Sequence, residues 1–271
     1  MAKEKLIFNS ISEIPGWIES HPQVTRGSES TSCSSSRDWD LNTPLAKALE
    51  FARNGGNWEE GGKMVRETTL KMADLRRTGR VPSLDTDVCG FLPDVPAFLS
   101  GDPSCMWSEG EEDGVQAPIL SIGVGVRAPS FATSEQKVNY GAAILSVVDE
   151  LENKGVRVEL WAVYANEKGT DKTDFRVLIK AAEESWSPNS AAFALCHPAY
   201  HRRLMFRLAE SFESLSRFTG SYGVGYNIKR DFDVWVPALA PGDSWSLDRK
   251  HSLEHTTELV QSQLIQQEQA A

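Results

Sequence analysis

A strand–helix–strand pattern over residues 119–164 constrains the fold of this chain more than any other feature. An apolar run rich in β-branched residues occupies Ile119–Val126, and its length suits a buried strand. Apolar residues then recur at near-helical spacing until Lys154 and Gly155, a basic residue and a glycine typical of a helix C-terminus. Val156–Tyr164 alternates and predicts a second strand. Because parallel neighbours need a crossover of this length, the pattern predicts a βαβ unit.

The rest of the chain predicts helical additions around that unit. Its 271 residues, of which 40% are hydrophobic, allow one substantial core, so we expect an α/β (or α+β) fold with a βαβ-centred sheet. We predict a single domain over residues 1–246 and a tail helix over 247–271. The domain would include a Ser-rich loop over 22–36, a helical hairpin over 44–77, and a proline-rich irregular segment over 81–118 that packs on the sheet.

The sequence carries no recognisable enzyme signature. Gly123 and Gly125 lie inside the first strand with Ala128 in place of a third glycine, so the dinucleotide motif fails. No Walker motif is present. His197 and His201 have ligand spacing, but no glutamate lies between them and Arg202 follows directly, which favours helix capping or DNA contact over a metal. We therefore predict neither catalysis nor a metal or cofactor.

Charge is distributed unevenly along an acidic chain. The formal net charge is −10, which argues against general attraction to polyanions. Residues 63–80 nevertheless hold six basic residues against two acidic ones, and residues 191–230 repeat this balance. Local excesses of positive charge decide what a groove attracts, so nucleic acid remains a candidate ligand.

The basic stretch over residues 202–232 interleaves cations with aromatic residues and glycines. Unpaired bases stack on flat side chains while cations follow the phosphates, so this composition indicates single-stranded DNA. Alternatively, the stretch is a glycine-bearing hairpin whose aromatic residues are part of the core. An indole and a guanidinium at the end of the Ser-rich loop could also face a ligand. The candidate DNA-binding residues are Arg202, Arg203, Arg207, Arg217, Phe218, Tyr222, Tyr226, Lys229, Arg230, Arg37 and Trp39.

Several longer motifs within residues 30–212 resemble a family of bacteriophage proteins. They are Trp39-Asp40, Leu49–Gly55, Phe91–Pro96, Gly101–Met106, Asn139–Ala143, Val156–Trp161 and His197-Pro-x-x-x-Arg202-Arg203. Length and tail are similar to the single-stranded-DNA-binding transcription regulators of Schitoviridae-type phages. That resemblance implies a fold other than the OB-fold, binding to melted middle promoters, and recruitment of the phage-encoded RNA polymerase in the host cytoplasm.

Two other classes of function stay open at this point. The chain could be an adaptor that binds a polymerase or replication complex through its acidic loop and tail without contacting DNA. It could also be a nucleotide- or metal-dependent enzyme that uses the carboxyl ends of its parallel strands. The narrow apolar stripe of the tail suits either docking on another subunit or a weak helix without a partner, and we expect a homo-oligomer. No apolar run is long enough to span a membrane.

Overall fold

The computed structural model describes residues 3–24, 34–75, 84–88, 92–109, 119–130, 132–168, 171–213, 224–225, 231–239, 256, 258–259 and 262. The strands are β1 (Lys3–Phe8), β2 (Leu84–Asp87), β3 (Leu92–Pro93), β4 (Met106–Glu109), β5 (Ile119–Gly125), β6 (Arg157–Lys168), β7 (Asp171–Lys180), β8 (Val224–Gly225) and β9 (Val234–Val236). The α-helices are α1 (Glu13–Ser20), α2 (Arg37–Asp40), α3 (Leu45–Arg53), α4 (Glu59–Leu75), α5 (Val95–Leu99), α6 (Ser134–Asn153), α7 (Pro188–Cys196) and α8 (Phe206–Ala209). A π-helix spans Tyr200–Met205.

The predicted βαβ unit is present and forms the centre of a mixed sheet. Strands β5 and β6 are parallel in a register that runs from Ile119 opposite Arg157 to Gly125 opposite Val163. The connecting helix α6 begins with a capping box, in which the Thr133 hydroxyl accepts from the Gln136 N–H while the Gln136 side chain accepts from the Thr133 N–H. The α/β fold class predicted from the sequence is confirmed.

Strands distant in sequence extend this centre on both sides. The strand order is β1-β7-β6-β5-β9, and β8 pairs with β6 beyond the end of β5. Strands β6 and β7 form an antiparallel hairpin, whereas β1 is parallel to β7 and β9 is parallel to β5. The direction of β7 follows from its short hairpin with β6, whereas the edge strands β1 and β9 depend on long-range pairing that no local pattern shows.

Helices pack on only one side of the sheet in the part that the structure describes. The main core joins side chains of this side, such as Leu160, Tyr164 and Phe175, to residues of the helices. The opposite side, which we call the second face, has a small cluster in which Val163, Ala165 and Trp235 are buried and to which no described helix contributes. Because strand side chains alternate, β6 supplies both sides.

Residues 71–117 form a compact unit of their own. The sequence predicted an irregular segment here, inside one domain over residues 1–246. Instead β2, β4 and β3 form a three-stranded antiparallel sheet, and α5 begins at Asp94, whose carboxylate accepts from the Ala97 N–H. The other unit comprises residues 1–70 and 118–271. Most of the Ser-rich loop and of the tail lies outside the described residues, and none of the described helices is long and apolar enough to cross a membrane.

The contact between α6 and α7 predicts a position-specific effect of an added methyl group. A Cβ on Gly141 would lie 2.4 Å from the backbone oxygen of Leu195, and backbone cannot move aside cheaply. We expect Gly141→Ala to lower the free energy of unfolding by about 1–3 kcal/mol, measured by urea denaturation. Gly16→Ala is the matched control, because a Cβ there meets nothing within 4 Å and alanine favours the helix. Equal stability of the two variants would contradict this packing.

Candidate functional site

Arg202 is buried and binds backbone carbonyl groups. Its guanidinium donates to Trp39 O (2.6 Å), Ala132 O (2.8 Å), Pro129 O (3.0 Å) and Asp38 O (3.4 Å), and it lies 4.1 Å from the centroid of a Trp39 ring. Only 2% of the residue is exposed. Burial lowers the pKa of Arg202 to about 10, an effect that Asp40 partly opposes. Arg202 therefore joins the segment around α2 to the loop between β5 and α6.

The neighbouring arginines, Arg203 and Arg207, are also buried and bind acceptors within the fold. Arg203 donates from Nε (2.8 Å) and Nη2 (2.5 Å) to Oδ2 of Asp40, which is fully buried. The second carboxylate oxygen of Asp40 accepts from the backbone N–H groups of Ser36 and Thr43. Arg207, one turn on, donates to the carbonyl of His21 at 2.9 Å.

These positions correct part of the predicted DNA-binding set. A phosphate contact requires a guanidinium that reaches solvent, but Arg202, Arg203 and Arg207 are 2%, 1% and 7% exposed and bind acceptors within the fold. Trp39 is half-buried and one of its rings packs against the Arg202 guanidinium, whereas Arg37 is exposed. The remaining predicted residues lie outside the described ones: Arg217, Phe218, Tyr222, Tyr226, Lys229 and Arg230.

The second face carries a group of aromatic side chains that sequence reasoning missed. Phe232 and Trp235 stack with ring centroids 6.0 Å apart, and Trp161 packs against the same cluster. Gly123 provides the space for this, since a Cβ there would lie 2.3 Å from the Phe232 ring. Trp161 and Phe232 remain partly exposed. The available sequence signal was the alternation of β6, which places Trp161 on the side opposite Leu160.

Two described parts of the basic stretch over residues 202–232, called here the cationic aromatic stretch, lie at the central strands of the sheet. Strand β8 pairs with Asn166 and Glu167, on the edge of β6 that β5 leaves open beyond Gly125. At the C-terminal end of the stretch, Phe232 lies on the second face itself, over Gly123 of β5. The stretch therefore contacts both β6 and β5.

A cation that contacts these rings is paired with carboxylates. The Arg176 guanidinium lies 5.5 Å from the Phe232 centroid and makes two hydrogen bonds to Asp174, of 2.8 and 2.7 Å. It also donates to Asp231. The hydrogen bond to Asp174, with a smaller contribution from Asp231, raises the pKa of Arg176. The charge of Arg176 is therefore balanced by two carboxylates within the fold.

A second group of polar residues lies on the helical side of the sheet, fully enclosed. Lys137 is 1% exposed, and its ammonium lies 4.8 Å from the Tyr140 ring centroid. Burial lowers its pKa to about 7, Cys196 opposes this, and repulsion from Arg202 adds to it. Burial also lowers the pKa of His201, and the charges of Arg202, Lys137 and Arg127 lower it further.

The two histidines with ligand spacing differ in their surroundings. His197 follows the last residue of α7, and its Nδ1 accepts from the Ala199 N–H at 3.1 Å. Burial lowers the pKa of His197 to about 4, which agrees with a neutral ring that accepts a hydrogen bond. Within the part of the chain that the structure describes, no three His, Cys, Asp or Glu side chains group as they would around a metal ion.

The buried ion pair of Arg203 and Asp40 predicts a large loss of stability on neutralisation of one partner. We expect Asp40→Asn to lower the free energy of unfolding by about 3–5 kcal/mol, because an uncompensated guanidinium would remain buried. The exposed pair of Arg53 and Glu19 is the control, and Glu19→Gln should change stability by less than about 1 kcal/mol. Denaturant titration at pH 7 measures both. A small effect of Asp40→Asn would show that solvent reaches Arg203.

Comparison with known proteins assigns the chain to a family without a defined activity. No curated protein and no solved structure gives a significant match. A family profile, described as a domain of unknown function, matches residues 2–261, which is nearly the whole chain. The protein therefore belongs to the DUF7192 family.

Proposed function

We propose that this chain is a non-catalytic single-stranded-DNA-binding protein of a bacteriophage, which holds melted promoter DNA and recruits the phage RNA polymerase for middle gene transcription. The aromatic group on the second face is the observation that carries the DNA-binding part. Trp161 and Phe232 are both partly exposed on this face, and Gly123 of β5 leaves space for the Phe232 ring. Flat rings that are accessible on one side stack with unpaired bases and tolerate any base.

The cationic aromatic stretch completes the proposed interface. Its described parts β8 and Phe232 lie at β6 and on the second face, which supports a role for this stretch in the same interface. Because Arg176 is already paired with Asp174 and Asp231, we assign the phosphate contacts to Arg217, Lys229 and Arg230. Tyr222 and Tyr226 would add stacking surfaces. Arg202, Arg203 and Arg207 have no part in this interface.

A test of the interface separates stacking from phosphate contacts. Fluorescence anisotropy with labelled single- and double-stranded oligonucleotides should show preference for the single strand. Trp161→Ala should weaken binding by about 1–3 kcal/mol without changing the salt dependence, since it removes one stacking surface. Arg230→Ala should instead reduce the slope of log affinity against log salt by about 0.7.

Phe98→Ala is the matched control for loss of an aromatic ring. Phe98 is 65% exposed on α5, in the other compact unit, and its loss should leave DNA affinity unchanged. Circular dichroism checks that Trp161→Ala remains folded. Equal affinity for single- and double-stranded DNA, or no binding to either, would refute the proposal.

One surface of the 71–117 unit favours the proposed protein partner. Helix α5 exposes Val95, Phe98 and Leu99 by 56%, 65% and 77%, and apolar side chains grouped in this way indicate a protein contact. We propose that α5 binds the phage RNA polymerase in the host cytoplasm, in line with the resemblance to phage transcription regulators. An adaptor that binds polymerase through α5 without contacting DNA is the second candidate function.

Replacement of the exposed residues of α5 tests the partner contact. Phe98→Asp combined with Leu99→Asp should abolish co-purification with the phage polymerase after nuclease treatment, because charges on this surface cannot be buried unpaired. The same variant should bind single-stranded DNA normally. Polymerase capture that persists in this variant contradicts the assignment, and capture by wild type without any DNA binding favours the adaptor. Light scattering of the purified chain tests the proposed homo-oligomer.

A further inference from the structure

Four polar groups around the start of α6 and the π-helix are buried without a hydrogen-bond partner. They are Ser134 Oγ, Lys137 Nζ, Tyr200 Oη and His201 Nδ1, in residues that are at most 4% exposed. A buried donor without an acceptor costs free energy, and an unpaired buried ammonium costs several kcal/mol. Among the four, the Lys137 ammonium is the costliest to leave unpaired, and its charge acts on His201 nearby.

Another lysine of the same unit shows how this fold satisfies a buried ammonium for structural purposes. Lys180 is 3% exposed, yet its ammonium donates to Val158 O and Ala181 O at 3.1 Å and pairs with Glu152 at 2.8 Å. Lys137 is as deeply buried and has none of these contacts. The difference sets Lys137 apart from a lysine whose role is only to support the fold.

The surroundings of Lys137 are cationic. The charges of Arg202, Lys137 and Arg127 all act on His201, and Arg202 acts on Lys137. Asp40, the carboxylate that acts on Arg202, is hydrogen-bonded to Arg203. Asp40 is thus engaged by two arginines, and at Lys137 itself the effect of Cys196 opposes the repulsion from Arg202, so an anionic ligand would supply the partner that the Lys137 ammonium lacks.

The position in the fold also suits an anion. Ser134 and Lys137 lie three residues apart, on one face at the N-terminus of α6, where the helix dipole favours negative charge. Arg202 fixes the preceding loop through Pro129 O and Ala132 O. This loop follows the carboxyl end of β5, the edge at which α/β sheets bind ligands. Arg127, in the same loop, is partly exposed.

We propose that Lys137, Ser134 and His201 form a binding site for a small oxyanion, a phosphate or carboxylate group, at the N-terminus of α6. The Lys137 ammonium would pair with the anion, and the Ser134 hydroxyl and the His201 ring would donate hydrogen bonds. Because burial leaves Lys137 with a pKa of about 7, a bound anion would also restore its charge. The site lies on the helical side of the sheet, so it is independent of the proposed DNA interface.

Thermal unfolding of the full chain in inorganic phosphate tests the site. At constant ionic strength, phosphate in place of chloride should raise the Tm in a saturable manner, because a ligand that binds only the folded state stabilises it. A series in acetate distinguishes phosphate from carboxylate. Lys137→Met should reduce the affinity for the anion at least ~10-fold, the effect of losing one charge-assisted contact. Lys154→Met, at the exposed end of the same helix, should respond like wild type.

Two further measurements test the site if Lys137→Met does not fold. Ser134→Ala, a smaller change, should also weaken the phosphate response. In protein carrying ¹³C-labelled lysine, one ¹³Cε resonance absent from Lys137→Arg should shift towards the protonated position when phosphate is added at pH 7.5. Equal melting in phosphate, acetate and chloride overturns the proposal. So does an undiminished response in both Lys137→Met and Ser134→Ala, or a lysine resonance unaffected by saturating phosphate.

Discussion

The four hydrogen bonds from Arg202 to backbone carbonyls hold together segments that no sheet or helix joins. The carbonyls belong to Asp38 and Trp39 of α2 and to Pro129 and Ala132 of the loop before α6, about ninety residues apart in sequence. Buried carbonyls need donors, and a guanidinium supplies five in a fixed plane. The adjacent Arg203 adds the carboxylate of Asp40, which in turn caps the turn around α2. The start of α6, and with it the group around Lys137, is positioned through these contacts.

Local periodicity was sufficient to predict the centre of the fold. The β-branched apolar run of β5, the helical spacing after it and the alternation of β6 predicted these three elements, and the parallel pairing of the strands follows from the crossover. The same reasoning failed for residues 81–118. Their prolines and glycines indicated an irregular segment, but the short strands β2, β3 and β4 pair with one another, and pairing between such short strands leaves almost no pattern.

The candidate site was harder to predict because a sequence does not show which acceptor each charged side chain binds. Arg202, Arg203 and Arg207 contributed half of the basic residues in the 191–230 stretch. Most of their acceptors are carbonyls and a carboxylate at least 70 residues away in the sequence. The residues that flank these arginines therefore could not show that the arginines would be buried. Gly123 shows the opposite case. Gly123 does not belong to a nucleotide-binding motif. The structure shows why a glycine is needed there, since the ring of Phe232 occupies the space that a side chain would fill.

The two sides of the sheet differ in whether their polar groups are enclosed or lie at the surface. On the helical side, polar groups are enclosed, so an unpaired one such as Lys137 is costly and restricts what ligand can satisfy it. On the second face, rings and ion pairs lie at the surface, where Arg176 is held by two carboxylates and adds little net attraction for phosphate. The proposed DNA affinity on that face would therefore come from stacking and from cations outside the sheet. Because the side chains of β6 alternate, one strand contributes to both sides, with Tyr164 facing the helices and Trp161 facing outwards.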